Sequence, residues 1–421
     1  MSQRAASAIA PRRSWPFRGW AVVAGVFCLL AIASGLGFYN ASVYLEAVVS
    51  ERGISVTVAS GASAAFFVTF GLAGLPISRW LLTHDPRSVI LAGGAVGGAG
   101  LLGLGAATTT WQLYLAFITF GLGFAAISFV PGTTLVTRWF VRRRALALVV
   151  ATSGLSVGGI VLTPATAQAI ERAGLSAVTP TLALVWLVGV TVVTLLAIRP
   201  SPEALGLEPD GDPRPAQAPP SAGGLTAAAA YRTRTFWALS AGLTVLLMTQ
   251  IAVLAHLYPL VLLRTDPGAA SLAVSLVAGA SIAGRFVGAW VLLRLDALRF
   301  AVGLAALQMI AVAGLAADLG WVGIVVATLA FGATVGNLIV LLPLVIVDTF
   351  GPVEYPRIYA MIQLVSTLGI ASGPLLLGAA RDATGSYATG TWIAAALTLA
   401  AAAVLLATVR TRRAEDLLGV T

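Results

Sequence analysis

The chain has 421 residues, of which 58% are hydrophobic and only 10% charged, and its mean hydropathy is +0.95. A soluble domain cannot hide that much apolar side chain, so an aqueous globular protein is excluded. The formal charge of +9 does not point to nucleic acid, because the 25 basic residues, all arginine, are scattered over short loops between apolar stretches. The absence of lysine reads as composition bias and carries no function.

Runs of about 20 apolar residues, each able to cross roughly 30 Å of hydrocarbon at 1.5 Å per residue, recur twelve times. A basic arm with Arg4, Arg12, Arg13 and Arg18 leads into the first, Trp20–Leu45, which is too long for a signal peptide and lacks a small-residue cleavage site, so it stays as a membrane helix. The second to sixth cover Ile54–Trp80, Val89–Ala107, Trp111–Val136, Ala145–Ile170 and Val178–Ile198. After a polar interval come Phe236–Leu263, Ala269–Leu293, Phe300–Leu319, Trp321–Val347, Ile358–Ala380 and Tyr387–Val409. The single cysteine, Cys28, excludes an intramolecular disulfide and a cysteine-based metal cluster.

Cytoplasmic flanks hold the positive excess in membrane proteins. With both termini inside, twenty arginines fall in cytoplasmic segments and four, Arg52, Arg172, Arg264 and Arg381, in outer ones. The expected place is therefore a bacterial inner membrane, multi-pass, with both termini cytoplasmic and the chain monomeric.

Arg199 to Arg234 is the one extended polar stretch and holds seven of the twenty prolines. It reads as a linker with no packed core. It divides the chain into a six-helix unit (1–198), a cytoplasmic linker (199–234) and a second six-helix unit (235–421). A repeat supports the division: Ala145, Gly154 and Gly158 recur as Ala360, Gly369 and Gly373, each displaced by 215, and the same offset carries Arg79 onto Arg294. The expected fold is thus an all-α membrane protein of twelve transmembrane helices, in two six-helix bundles related by a pseudo-twofold axis along the membrane normal. Each Gly-xxx-Gly suits close helix contact.

The eighth helix carries the one charge far from a helix end, Arg285, in Ser281-Ile-Ala-Gly-Arg-Phe-Val-Gly288. Arginine at mid-bilayer costs about 2.5–3.5 kcal/mol on insertion scales, so such a residue faces a polar cavity or a partner and marks a substrate or ion pathway. The competing reading is a structural arginine bonded to backbone carbonyls. The offset of 215 places Phe70 opposite it, so the site is asymmetric.

Enzyme signatures are missing: no glycine-rich phosphate loop follows a strand, no His-Glu-x-x-His occurs, and His84 and His256 are too few for a metal site. Neither a cofactor nor a metal is expected.

Along the chain stand Phe17-Arg-Gly-Trp20, Arg138-Trp-Phe-Val-Arg-Arg-Arg-Ala145, Thr235-Phe-Trp237, Ala255-His-Leu-Tyr-Pro259, Gly284-Arg285, Ser372-Gly-Pro374 and Arg381-Asp-Ala-Thr-Gly-Ser-Tyr387. Jointly and in this order they resemble the major facilitator superfamily, and within it the monocarboxylate and oxalate-formate transporter branch. The chain departs from the resemblance at two points. Of the loop pattern after the second helix, whose positions here are Ser78, Leu82, Thr83, Asp85 and Arg87, only the last basic position is kept, and the equivalent acidic slot after the eighth helix is Leu292. Proton-coupled members also carry an aspartate where this chain has Ser281.

The resemblance implies that the helices holding Tyr39, Asn40, Asn337 and Gln363 line a central cavity, which makes these residues candidate substrate contacts beside Arg285. Asp348, Glu354 and Arg357 are expected to form a gate or interface ion pair. His256 is expected to complete the site and to carry a coupled proton, since its helix rises while that of Arg285 descends and the unperturbed pKa of histidine lies near 6.5. The function expected is a secondary carrier of a small organic anion of monocarboxylate type, working by alternating access with proton symport, with no nucleic-acid partner. The competing classes are an efflux carrier for amphiphilic compounds, a uniporter or anion exchanger without proton coupling, and a membrane sensor or scaffold. A single buried cation with no buried anion favours the first, since exporters of cationic drugs usually hold a membrane-embedded carboxylate.

Overall fold

A computed structural model describes residues 18–140, 143–205, 207–211, 224–351 and 354–418. The basic arm at Arg4, Arg12 and Arg13, together with Arg142, Arg214 and Ser221, lies outside the described residues. The described chain is helical and forms the twelve expected spans in two six-helix bundles. Its outer faces carry large apolar side chains, such as Leu293 at 82%, Val322 at 74% and Leu196 at 74% exposure. Such faces are stable only against lipid tails, so the protein is an integral, multi-pass membrane protein.

The first span is α1 (Arg18–Ala33), a π-helical turn (Ser34–Phe38) and α2 (Ala41–Arg52). It is followed by α3 (Val56–Thr83), α4 (Pro86–Ala106), the pair α5 (Thr110–Ile127) and α6 (Phe129–Trp139), α7 (Arg144–Ala173) and α8 (Leu175–Ala197). A short α9 (Ala227–Ala230) precedes α10 (Arg234–Leu262), α11 (Pro267–Val291), α12 (Ala297–Ala316), α13 (Gly320–Phe350), α14 (Tyr355–Thr384) and α15 (Tyr387–Leu418). The starts obey local capping chemistry: Ser55, Asp85, Thr233, Asp266 and Asp296 each accept a first-turn N–H of the helix they precede.

The first span runs past its expected end at Leu45 to Arg52 and stops at Gly53, whose φ of +63° closes the helix in the left-handed conformation. Glu46 and Glu51 therefore belong to the span. The π-turn widens the helix so that Tyr39 N–H bonds Ser34 O at 2.9 Å, and the Leu36 carbonyl takes the Tyr44 hydroxyl at 2.9 Å. A break in a membrane helix is tolerated because a neighbouring side chain satisfies the backbone in this way.

The duplicated glycines do the same work in both bundles. A Cβ on Gly154 or Gly158 would fall on the backbone of Phe27 or Ala31 in α1, and one on Gly369 or Gly373 on Thr244 or Met248 of α10. Elsewhere the bundles are filled differently. The first packs Phe120 and Trp186 against Gly100 and Gly97 of α4, with Phe66 and Phe124 stacked behind Phe120 and Trp186 Nε1 donating to Gly94 O at 3.0 Å. The second is tied by Gln308, fully buried, whose Nε2 donates to Leu246 O and Thr249 Oγ1, both at 3.0 Å.

The 199–234 segment differs from a free linker, because its ends are docked. Trp139 Nε1 donates to Arg199 O at 3.2 Å and Arg143 N–H to Asp210 Oδ1 at 3.2 Å. At the far end Ala227 and Ala230 are buried, Leu225 N–H bonds Phe350 O at 2.8 Å, and Glu354 accepts the Ala227 N–H while pairing with Arg357 at 3.0 Å. The segment's own acceptors at its first end and the Phe350 carbonyl and Glu354 carboxylate at its far end hold the described ends of a stretch whose composition alone would leave it loose.

Candidate functional site

Arg285 lies six residues beyond the middle of α11, with six helical residues still to follow it, and is half-buried. Its Nε donates to Gly336 O of α13 and its Nη1 to Thr152 O of α7, both at 3.3 Å. A guanidinium has five N–H donors, so two long bonds leave three available. Among the described residues it forms no salt bridge. The charge is thus placed between bundles, α7 belonging to the first and α11 and α13 to the second, with no anion paired to it among the described residues.

One turn before it, Ser281 Oγ stands 2.6 Å from Ser156 Oγ of α7, both fully buried. Ser281 gives its own proton to Ala278 O at 2.8 Å, so Ser156 is the donor within the pair. Tyr39 reaches the same two hydroxyls and lies in the field of Arg285, and its ring packs on Gly159. The structure therefore brings Tyr39 to a hydroxyl pair one turn from Arg285, a pair that sequence reasoning left out. A signal existed: within the repeated glycine motif Ser156 faces Ala371 across the offset, a polar residue in only one copy.

The remaining candidates are dispersed. Asn40 is fully buried next to the π-turn, and neither amide atom has a hydrogen-bond partner among the described residues. Asn337 spends both amide hydrogens on Gly284 O and Ala333 O, each at 2.8 Å, and so ties α11 to α13. Gln363 is half-buried on α14, its backbone carbonyl accepting Thr367 Oγ1 at 2.9 Å.

His256 stands in a different shell. Its Nε2 is 3.0 Å from Pro374 O and 3.1 Å from Ser60 Oγ, and its Nδ1 is 3.3 Å from the Tyr387 hydroxyl. A carbonyl can only accept, so Nε2 carries the hydrogen and Nδ1 accepts from Tyr387, which satisfies a neutral ring completely. This shell shares no residue with that of Arg285. What His256 does join is α10 to α3, across the two bundles.

Residues 27–343 match the Major Facilitator Superfamily model. The chain belongs to that superfamily. The resemblance expected from its motifs is met by its relatives, which are named as transporters. An MFS-type transporter of Gibberella moniliformis is 31% identical over 196 residues, 45% of each chain, so this sequence matches less than half the length of that relative. Monocarboxylate transporter 13 of Bos taurus is 26% identical over 92% of this chain and 88% of its own length, and monocarboxylate transporter 11 of Homo sapiens is 24% identical over 90% and 81%. Among solved structures, a bacterial homolog of the human lysosomal transporter Spinster superposes with a TM-score of 0.69 at 16% identity, covering 94% of this chain and 98% of that one. The nucleoside transporter NupG superposes with a TM-score of 0.72 at 12% identity, covering 92% and 99%. These two likenesses establish the fold alone.

Proposed function

We propose that this transporter moves a small organic anion of monocarboxylate type by alternating access, with Arg285 as the anchor of the substrate carboxylate. The observation that carries the reading is the guanidinium itself, lying between the bundles with three N–H donors left over and, among the described residues, no carboxylate paired to it. Its planar fork fits both oxygens of a carboxylate, and the pair is stronger in a dry site than in water. Tyr39 supports the carboxylate from α1's side, and Asn40, with its unsatisfied amide, is the next contact. Asn337 and Gln363 act from the second bundle, Asn337 through its Oδ1 only. The names of the bovine and human relatives agree with the substrate class. The proposed unit boundaries are 1–198, 199–234 and 235–421, with the termini on the cytoplasmic side, where the arginine excess puts them.

Uptake of labelled short monocarboxylates into proteoliposomes tests the anchor. Arg285→Ala should abolish saturable uptake and Arg285→Lys should recover it only in part, because a lysine ammonium offers a point charge rather than a fork. If both variants, with folding verified, keep wild-type affinity, Arg285 is not the anchor.

Proton symport is the coupled form of this proposal, with His256 as the carrier through Nδ1, the atom that now accepts from Tyr387. A second reading, an exchanger or uniporter without proton coupling, is favoured by the complete satisfaction of the neutral ring. Accumulation driven by an imposed pH gradient distinguishes them: loss of accumulation in His256→Gln supports symport, and accumulation that persists unchanged removes His256 from coupling.

A further inference from the structure

At the end of the molecule that carries the loops before α3 and after α14, the bundles are closed on one another. The Asp382 carboxylate, in the last turns of α14, accepts Val56 N–H at 3.2 Å through Oδ1 and Thr57 N–H at 2.8 Å through Oδ2. These are the first two N–H groups of α3, which no carbonyl of their own helix can reach. Ser55 Oγ takes the third, that of Val58, at 3.3 Å. The first turn of α3 is therefore satisfied only while α14, from the other bundle, stays in place. One turn along the same helix, Ser60 meets His256 at 3.1 Å, and a Cβ on Gly378 would strike the Ser60 side chain.

An internal control is built in. Glu51 of α2 does the same chemistry for α8, its two oxygens accepting the Leu175 N–H at 2.9 and 3.1 Å. Both of those helices lie in the first bundle and move with it as one body. Parting the bundles breaks the Asp382 bonds and leaves the Glu51 bonds intact.

We propose that Asp382 is the latch of this end: its carboxylate on the α3 N-terminus holds the bundles shut, and its release is part of each opening. A negative charge there also complements the positive end of the α3 dipole, so the latch is both bonded and electrostatic. The retained acid sits in the Arg381–Tyr387 stretch, whereas the loop positions after α3 and α11 that would carry gate charges at the opposite end hold Leu82 and Leu292. The latch rests on the alternating-access reading, but it can be measured without any substrate.

Full-length protein with Cys28→Ser, spin-labelled at cysteines replacing the exposed Thr108 and Asp318, reports the separation of the two bundles at this end by double electron–electron resonance. Asp382→Ala should raise the population of the long-distance, open state roughly fivefold, the loss of one charged helix cap, with Asp382→Asn intermediate because one oxygen remains. Glu51→Gln should lower the melting temperature without changing the distance distribution. The latch is overturned if both Asp382 variants leave the distribution at wild type, or if Glu51→Gln shifts it equally. An anion-uptake failure with a shifted distribution would count against the substrate proposal and leave the latch standing.

Discussion

Restoring an acid beside Arg285 tests the anchor from the opposite direction. Ser281 sits four residues before it on α11, and neighbours at that spacing lie about 5–6 Å apart at Cβ on one helix face. An aspartate there would hold a charge about 6 Å from the guanidinium. At an effective dielectric of about 20 the attraction is about 2.8 kcal/mol, and discounting half of it for desolvation and competition leaves about 1.4, so the substrate carboxylate should bind roughly tenfold more weakly. Ser281→Asn is the neutral match in size, and the ratio of Km values between the two variants isolates the charge from any disturbance of the Ser156 contact, now 2.6 Å long. The sign with pH is fixed: the aspartate competes only when ionised, so the handicap is full at high pH and shrinks as pH falls through its titration. The assay is labelled monocarboxylate uptake in proteoliposomes at paired pH values, with melting temperatures to confirm folding. Equal Km for the Asp and Asn variants at every pH would mean that the guanidinium does not meet the substrate, and the anchor reasoning would fall.

Gln308→Leu should destabilise the second bundle by about 1–2 kcal/mol, since two good interhelical bonds are lost at about 0.6 kcal/mol each and Thr249 and Gln250 lose a buried partner, and thermal unfolding in detergent reads it directly. For orientation, cysteines at Ser221 and Asp266 in a Cys28→Ser background should react with impermeant reagents from opposite faces of intact cells, Ser221 from inside. Reaction of both from one side would overturn the topology.

The twelve spans were legible because each one satisfies its own backbone and needs only about 20 apolar residues to exist in lipid. The end of the first was misplaced by seven residues, since Glu46 and Ser50 look like loop, although the Arg52-Gly53 stop signal was present. The π-turn at Ser34–Phe38 was not legible, because it depends on α7 lying against it at Gly158 and Leu162. The same limit applies to the site. Counting residues at 1.5 Å of rise gives the depth of His256 and Arg285 but not the direction each side chain leaves its helix. That direction is set by packing, and it sends His256 toward α3, α14 and α15 while Arg285 turns to α7 and α13. The Ser156–Ser281 pair was hidden for the same reason, since nothing within either helix says that the two meet.

The duplication explains why the charge can sit in one bundle only. Backbone contacts that need glycine are copied with the offset of 215, and they operate identically in α7 against α1 and in α14 against α10. Side chains in the interior are not copied. Arg285, Ser281 and Gln308 correspond to Phe70, Phe66 and Gly93, and the first two of those belong to the ring cluster with Phe124, Phe70 lying 5.0 Å and Phe66 5.2 Å from it. Phe66 and Phe124 are buried inside the first bundle, whereas the guanidinium lies between the bundles, one turn from a hydroxyl pair drawn from both, so the junction carries one cation where a strictly symmetric repeat would carry two. Divergence between the copies, confined to side chains over a shared backbone contact pattern, is therefore what leaves the proposed site asymmetric.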